Sequence, residues 1–148
     1  MGDTMASKQL HLRIITPRGV KVDQKADMVI MRCLDGDMGF LPGHAPLAAV
    51  LGDGILRIKN GKEEEKLALF GGFVEVKDDV VTILTSIAQR PHEIDRMRAE
   101  ADREQMEELL KEKSEDLKVQ SYQVLLRRAL VRIEVSSDSI TSGGADEK

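Results

Sequence analysis

Ser86-Ile87-Ala88-Gln89-Arg90-Pro91-His92-Glu93-Ile94-Asp95-Arg96-Met97-Arg98-Ala99-Glu100-Ala101 is the stretch at which the chain changes its secondary-structure grammar. Before it, short apolar runs are cut by Gly- and Pro-containing turns, the pattern of β-structure. After it there is no Pro, no Gly until Gly143, and a charge at nearly every second position, the pattern of helix. Pro91 suits a first helical position, where its missing N–H costs nothing. Glu93 and Asp95 fall early in the predicted helix, where the macrodipole favours anions.

Upstream of this joint, Phe73-Val74-Glu75-Val76-Lys77 and Val80-Val81-Thr82-Ile83-Leu84 predict strands joined through Asp78-Asp79. Gly71-Gly72 predicts a tight corner. Ile55 to Lys59, Asn60-Gly61 and Lys62 to Phe70 form a hairpin, Asn-Gly between such runs being a strong hairpin signal. Gly36 to Leu47 holds two prolines and three glycines, and predicts a sharply turned loop. Ala26 to Leu34 is a more continuously apolar strand closed by a turn at Asp35-Gly36. Leu10-His11-Leu12-Arg13-Ile14 alternates with period two, and Thr16-Pro17-Arg18-Gly19 turns the chain toward Val20-Lys21-Val22. About eight to ten short strands without intervening helices predict an antiparallel β-sandwich or barrel rather than βαβ units.

Downstream, Ile94, Met97, Ala101, Met106, Leu109, Leu110 and Leu117 make a thin apolar stripe, while Tyr122, Leu126, Ala129, Leu130 and Ile133 keep a clearer 3.6 period. The polar stretch around Ser114-Glu115-Asp116 predicts the turn of an antiparallel helical hairpin. The division expected is a flexible extension over 1–9, a sandwich over 10–88, a helical hairpin over 89–135 and a disordered tail over 136–148. Stripes this thin leave little surplus over the ordering cost, so the hairpin is expected to dissociate and repack readily.

Composition narrows function. The formal net charge of −4 speaks against nucleic acid as a partner, which needs a basic face. A lone cysteine, Cys33, in an apolar run rules out an internal disulfide and predicts a buried inert thiol. Met1 to Gln9 carries neither a signal-peptide core nor an Arg-rich transit pattern, and no window reaches the ~20 apolar residues of a membrane span. Three histidines without ligand spacing leave His44 as a loop residue bonded to its own backbone rather than a metal ligand.

The order of features resembles the epsilon subunit of the bacterial F-type ATP synthase. Asp37-Met38-Gly39-Phe40-Leu41-Pro42-Gly43-His44-Ala45-Pro46-Leu47 is similar to that family's loop, and Phe70-Gly71-Gly72-Phe73-Val74-Glu75-Val76 to its glycine-cornered strand pair, across a match running from about Leu10 to Val135. The resemblance implies an N-terminal sandwich followed by two helices, in a non-catalytic rotor subunit. The sandwich would bind the gamma subunit and the c-ring, and membrane association would come only through the complex, at the cytoplasmic face of the plasma membrane. The hairpin would brake ATP hydrolysis by extending into the catalytic alpha/beta hexamer, and release it by folding on the sandwich. Arg127, Arg128 and Arg132 would then meet acidic surfaces of the catalytic subunits.

Ile94-Asp95-Arg96-Met97-Arg98-Ala99 is also similar to the Ile/Leu-Asp-x-x-Arg-Ala motif of members that bind ATP. The implied site is Gln89, Arg90, Ile94, Asp95, Arg98, Ala99, Arg128 and Arg132, with ATP as a regulatory ligand that is not hydrolysed and the part of Mg²⁺ left open. Asp95 and Arg98 would share a helix face, as would Arg128 and Arg132, and guanidinium suits phosphate. Gln89 stands where ATP-binding relatives carry a glutamate, and Gln105 where a further arginine occurs. Two rival classes are a hydrolase, opposed by the absence of a nucleophile elbow or Walker loop, and a freestanding nucleotide-sensing adaptor, which would not co-purify with gamma.

Overall fold

The computed structural model describes residues 8–112 and 116–146, with side chains described for 8–112 and 118–137. The chain divides between Ala88 and Gln89 into two compact units. The first is β throughout: β1 (Leu10–Thr16), β2 (Gly19–Ala26), β3 (Met28–Cys33), β4 (Gly36–Phe40), β5 (Leu47–Asn60), β6 (Glu63–Lys77), β7 (Val80–Leu84) and the two-residue β8 (Ala88–Gln89). The strands lie in the order β2-β1-β7-β6-β5-β3-β4, with β8 beside β6. β1 pairs antiparallel with β2, β3 with β4 and β5, and β6 with β5 and β7. β1 runs parallel to β7, a departure from the wholly antiparallel expectation.

Period-two patterning explains how the strands share one interior. Leu10, Leu12 and Ile14 of β1 are buried while His11 and Arg13 face out, and they join Val29 and Met31 of β3, Leu56 and Ile58 of β5 and Val74 and Val76 of β6 in one hydrophobic cluster. That shared interior is the sandwich core, built from aliphatic side chains and Phe40. Cys33 is buried within it, and desolvation, with Asp35 and Asp37 nearby, holds its thiol above the usual range, as an inert thiol requires.

Three expectations need correction. Gly36–Phe40, read as loop, is strand β4, because Gly39 leaves room for Met28 of β3: a Cβ there would lie 2.8 Å from the Met28 methyl. The turn is confined to 41–46, where His44 Nδ1 donates to the Ala45 carbonyl at 2.7 Å and its ring meets Phe40 edge-on. β5 starts at Leu47, well before Ile55, its alternation masked by Gly52 and Gly54; Arg32 crosses there, and a Cβ on Gly54 would fall 2.6 Å from Arg32 Cβ. Gly71-Gly72 is not a corner between strands. β6 passes through it with the same register against β5 on both sides, Leu47 opposite Val76 and Asn60 opposite Glu63. The two glycines bend the strand at φ 73° and 117°.

The Asn60-Gly61 turn is tied down from outside. Asp27 accepts from the Gly61 N–H at 2.6 Å and from Gln9 Nε2 at 3.0 Å, while Asn60 Nδ2 donates to the Lys25 carbonyl. Gln9, expected in the flexible extension, is thus anchored; residues 1–7 lie outside the described residues.

The second unit opens with a single 3₁₀ turn, Pro91–Glu93, followed by α1 (Arg96–Lys111) and α2 (Asp116–Asp146). Pro91 therefore heads a separate turn, because Ile94 returns to extended backbone (φ −94°, ψ 126°) and interrupts the helix. Of the expected turn at Ser114-Glu115-Asp116, Asp116 is the first residue of α2, and 113–115 lie outside the described residues. α2 also runs past Val135, where a disordered tail was expected: Ser136 is buried and its hydroxyl donates to the Arg132 carbonyl at 2.9 Å, continuing the helical turn.

The two helices pack on each other through small residues, Ala99 and Ala129 being almost wholly buried, together with Met106. Met97 and Ala101, assigned to the buried stripe, face out, Met97 being 83% exposed. The break at Ile94 resets the helical phase, so Ala99 takes the inward position instead. Leu130 is also half exposed, as are Val124 and Leu125.

Candidate functional site

Within the helical unit, a cleft of about 340 Å³ is lined by Gln89, Glu93, Ile94, Asp95, Arg98, Ala99, Asp102 and Arg132. Its walls are the segment before α1, the first turns of α1 and one residue of α2. The size falls at the lower end of small-molecule sites.

Asp95 lines the cleft and also has a structural role. It is the N-cap of α1, with extended backbone and a carboxylate that accepts the Arg98 backbone N–H at 3.0 Å. That satisfies one of the donors every helix start leaves open. Asp95 and Arg98 are therefore joined through the backbone rather than as an ion pair on a helix face. Glu93 does the corresponding work one step earlier, accepting the Arg90 N–H at 2.8 Å and fixing the 3₁₀ turn. These two bonds set the direction in which α1 leaves the joint, and place Arg98 on the cleft wall. Ala99 beside it is 2% exposed and lets the helices approach closely.

From α2, Arg132 reaches back to this segment. Its Nε donates to Gln89 Oε1 at 2.8 Å, using one of the five N–H donors of the guanidinium. A glutamine accepts this bond without cancelling the arginine's charge. Burial pulls the Arg132 guanidinium below its usual range. Repulsion from Arg128 and Arg98 adds to that, and Asp102 works against it. Three like charges converge on one place, an arrangement that attracts an anion with several charged oxygens.

Gln89, Ile94, Asp95, Arg98, Ala99 and Arg132 thus stand together around one cleft. Arg128 acts on Arg132 by its charge without lining the cleft, and Arg90 contributes backbone but does not line it. Glu93 and Asp102 line it without having been anticipated. Both were legible in spacing: Glu93 is three residues after Arg90, and Asp102 four after Arg98, on one helical face. Arg127 is exposed, on the same side of α2 as Val124 and away from the cleft. Among the described residues, no group of His, Cys, Asp and Glu is arranged to hold a metal ion.

The sandwich has a surface of its own. Val50, Phe73 and Leu84 are directly paired across β5, β6 and β7 and are 45%, 60% and 49% exposed. With Ala48 and Thr82 they line an apolar groove of about 340 Å³. The three large apolar side chains form one contiguous exposed row on this sheet face.

Residues 9–91 match the family model described as ATP synthase, Delta/Epsilon chain, beta-sandwich domain, and residues 92–137 the model described as ATP synthase, Delta/Epsilon chain, long alpha-helix domain. The chain is 39% identical to the ATP synthase epsilon chain of Halalkalibacterium halodurans over 86% of its own length and 96% of that protein's. It is 41% identical to that of Bacillus subtilis, over 87% and 98%. Among solved structures, a chain of the Euglena gracilis mitochondrial ATP synthase (OSCP, F1 and c-ring) superposes with a TM-score of 0.73 at 25% identity, over 85% of this chain and 79% of that one.

Proposed function

Because the chain belongs to the epsilon-chain family of the bacterial F-type ATP synthase, we propose that it is a non-catalytic central-stalk subunit whose helical hairpin senses ATP and brakes hydrolysis. On this reading the sandwich binds the gamma subunit and the c-ring, coupling ion-driven rotation to the catalytic hexamer. The apolar row Val50–Phe73–Leu84 supports the docking part, since it offers a stalk partner the desolvated contact that a free sheet face would not need. No helix among the described residues is long and apolar enough to cross a membrane, so attachment to the cytoplasmic face of the plasma membrane comes through the complex.

The observation that carries the sensing part is the meeting of Arg98 and Arg132 in the cleft that Asp95 and Gln89 also line, with the charge of Arg128 acting on Arg132. The arginines receive the phosphates. Asp95 and Gln89 have polar atoms for the rest of the nucleotide, and Ile94 supplies an apolar wall. The site is made from both helices, so it exists only while they are packed together. A ligand that binds only the packed pair shifts population toward it by mass action. The brake then requires the helices to part, and their composition favours this: only Ala99, Met106, Ala129 and Val135 are buried among their described apolar residues, while Val124, Leu125 and Leu130 remain half exposed beside Arg127. Those residues present apolar and basic surface to the catalytic alpha/beta subunits in the extended state. ATP is held and not hydrolysed, as the sequence has no Walker loop.

Calorimetric titration of the full chain with ATP tests the sensing part. Binding heat is expected for the unmodified protein, with affinity falling about ten- to a hundred-fold in Arg98→Ala and Arg132→Ala, the loss of a charge-assisted contact. No heat in the unmodified protein would overturn the sensor and leave family membership standing.

A further inference from the structure

Two carboxylates of the cleft, Glu93 and Asp102, are not used by the nucleotide reading. Asp102 lies four residues after Arg98 on the same face of α1, lines the cleft with Arg98 and Arg132, and is half-buried. The other carboxylates of the cleft serve the backbone: Glu93 accepts from the Arg90 N–H and Asp95 from the Arg98 N–H. Asp102 sits inside the helix, where no backbone donor is open to it. Its charge acts instead on Arg132, attracting where Arg128 and Arg98 repel.

We infer that Asp102 is an internal counter-ion of the arginine cluster: it balances part of the positive charge while the cleft is empty, and it competes with phosphate when a ligand enters. This rests on the nucleotide reading above. The consequence has two sides. Without ligand, Asp102 eases the repulsion among Arg98, Arg128 and Arg132 and so helps keep the helices packed. With ligand, it repels the phosphate chain, more strongly the more charge that chain carries. Asp102 therefore weakens the affinity for a triphosphate more than that for a diphosphate, and sets the concentration at which the hairpin responds.

The test is Asp102→Asn in the full chain, which keeps the side-chain shape and removes the charge. Calorimetry with ATP and with ADP is expected to show ATP binding roughly ten-fold tighter than in the unmodified protein, with a smaller gain for ADP. Ligand-free thermal melting followed by helical circular dichroism is expected to fall at low salt, the difference closing at high salt as screening relieves the repulsion. ATP binding that is unchanged or weaker in Asp102→Asn would overturn the proposal. If neither protein binds nucleotide, the sensor reading fails separately and the melting decides: a salt-sensitive loss of helix stability sustains the counter-ion, and an unchanged melt overturns it.

Discussion

Gly72 and Asp27 show how single positions hold the strands in place. At Gly72 (φ 117°) a Cβ would sit 2.1 Å from the Leu84 carbonyl oxygen, so β6 passes β7 only because that residue has no side chain. The pair Gly71-Gly72 announced itself in the sequence, but as a corner; that the backbone bends there without breaking the strand depends on β7 lying across it, which no local pattern displays. Asp27 was not singled out at all, because its partners Gln9 and Gly61 are far away in sequence. The Gly61 N–H, then Gln9, hold its carboxyl below the usual carboxylate range. A depressed folded-state value means that Asp27 contributes stability above its unfolded pKa of about 3.9, and that the contribution is lost as pH falls through the folded value. Asp27→Asn is therefore expected to lower urea stability at neutral pH, with the difference from the unmodified protein shrinking below about pH 4. A difference that stays constant across that range would show that the carboxylate charge is not what Gly61 binds.

At the scale of elements, the strands and the helices differ in how firmly they are built. The sandwich closes around a shared aliphatic interior, whereas the helical unit buries few apolar residues, Ala99, Met106, Ala129 and Val135 among those described. Helix pairing of this kind buries little apolar area per residue ordered. Native-state hydrogen exchange is expected to show weaker protection over Arg96–Lys111 than over β5 and β6, with opening of the helices below the global unfolding free energy. Equal protection in both would mean that the hairpin does not open independently. The weakness of the apolar stripes was legible from the sequence, and so were both helices. The start of the first was not. Pro91 reads as a helix opening, and only the return of Ile94 to extended backbone shifts the cap to Asp95. That shift makes Asp95 the acceptor of the Arg98 backbone N–H rather than a residue on the helix face, and moves Met97 outward. The facing of Arg128 and Arg132, and of Asp102 with Arg98, was legible in helical spacing; that Arg132 and Arg98 line one cleft depends on how the helices pack.

On the scale of the whole molecule, the chain divides between Ala88 and Gln89, within the stretch where the sequence changes grammar. The two family models meet close by, at residues 91 and 92. The sandwich has a complete core of its own and an apolar row on its face, while the helices form a cleft that exists only in their packed arrangement. Such a division suits a subunit in which one part grips a shaft and the other regulates. The most direct measurement compares ATP hydrolysis by the assembled complex containing the full chain with that of a complex whose subunit ends at Ala88. The account predicts that the truncated subunit still assembles and that hydrolysis rises several-fold. An assembled complex whose hydrolysis is unchanged by the truncation would contradict it.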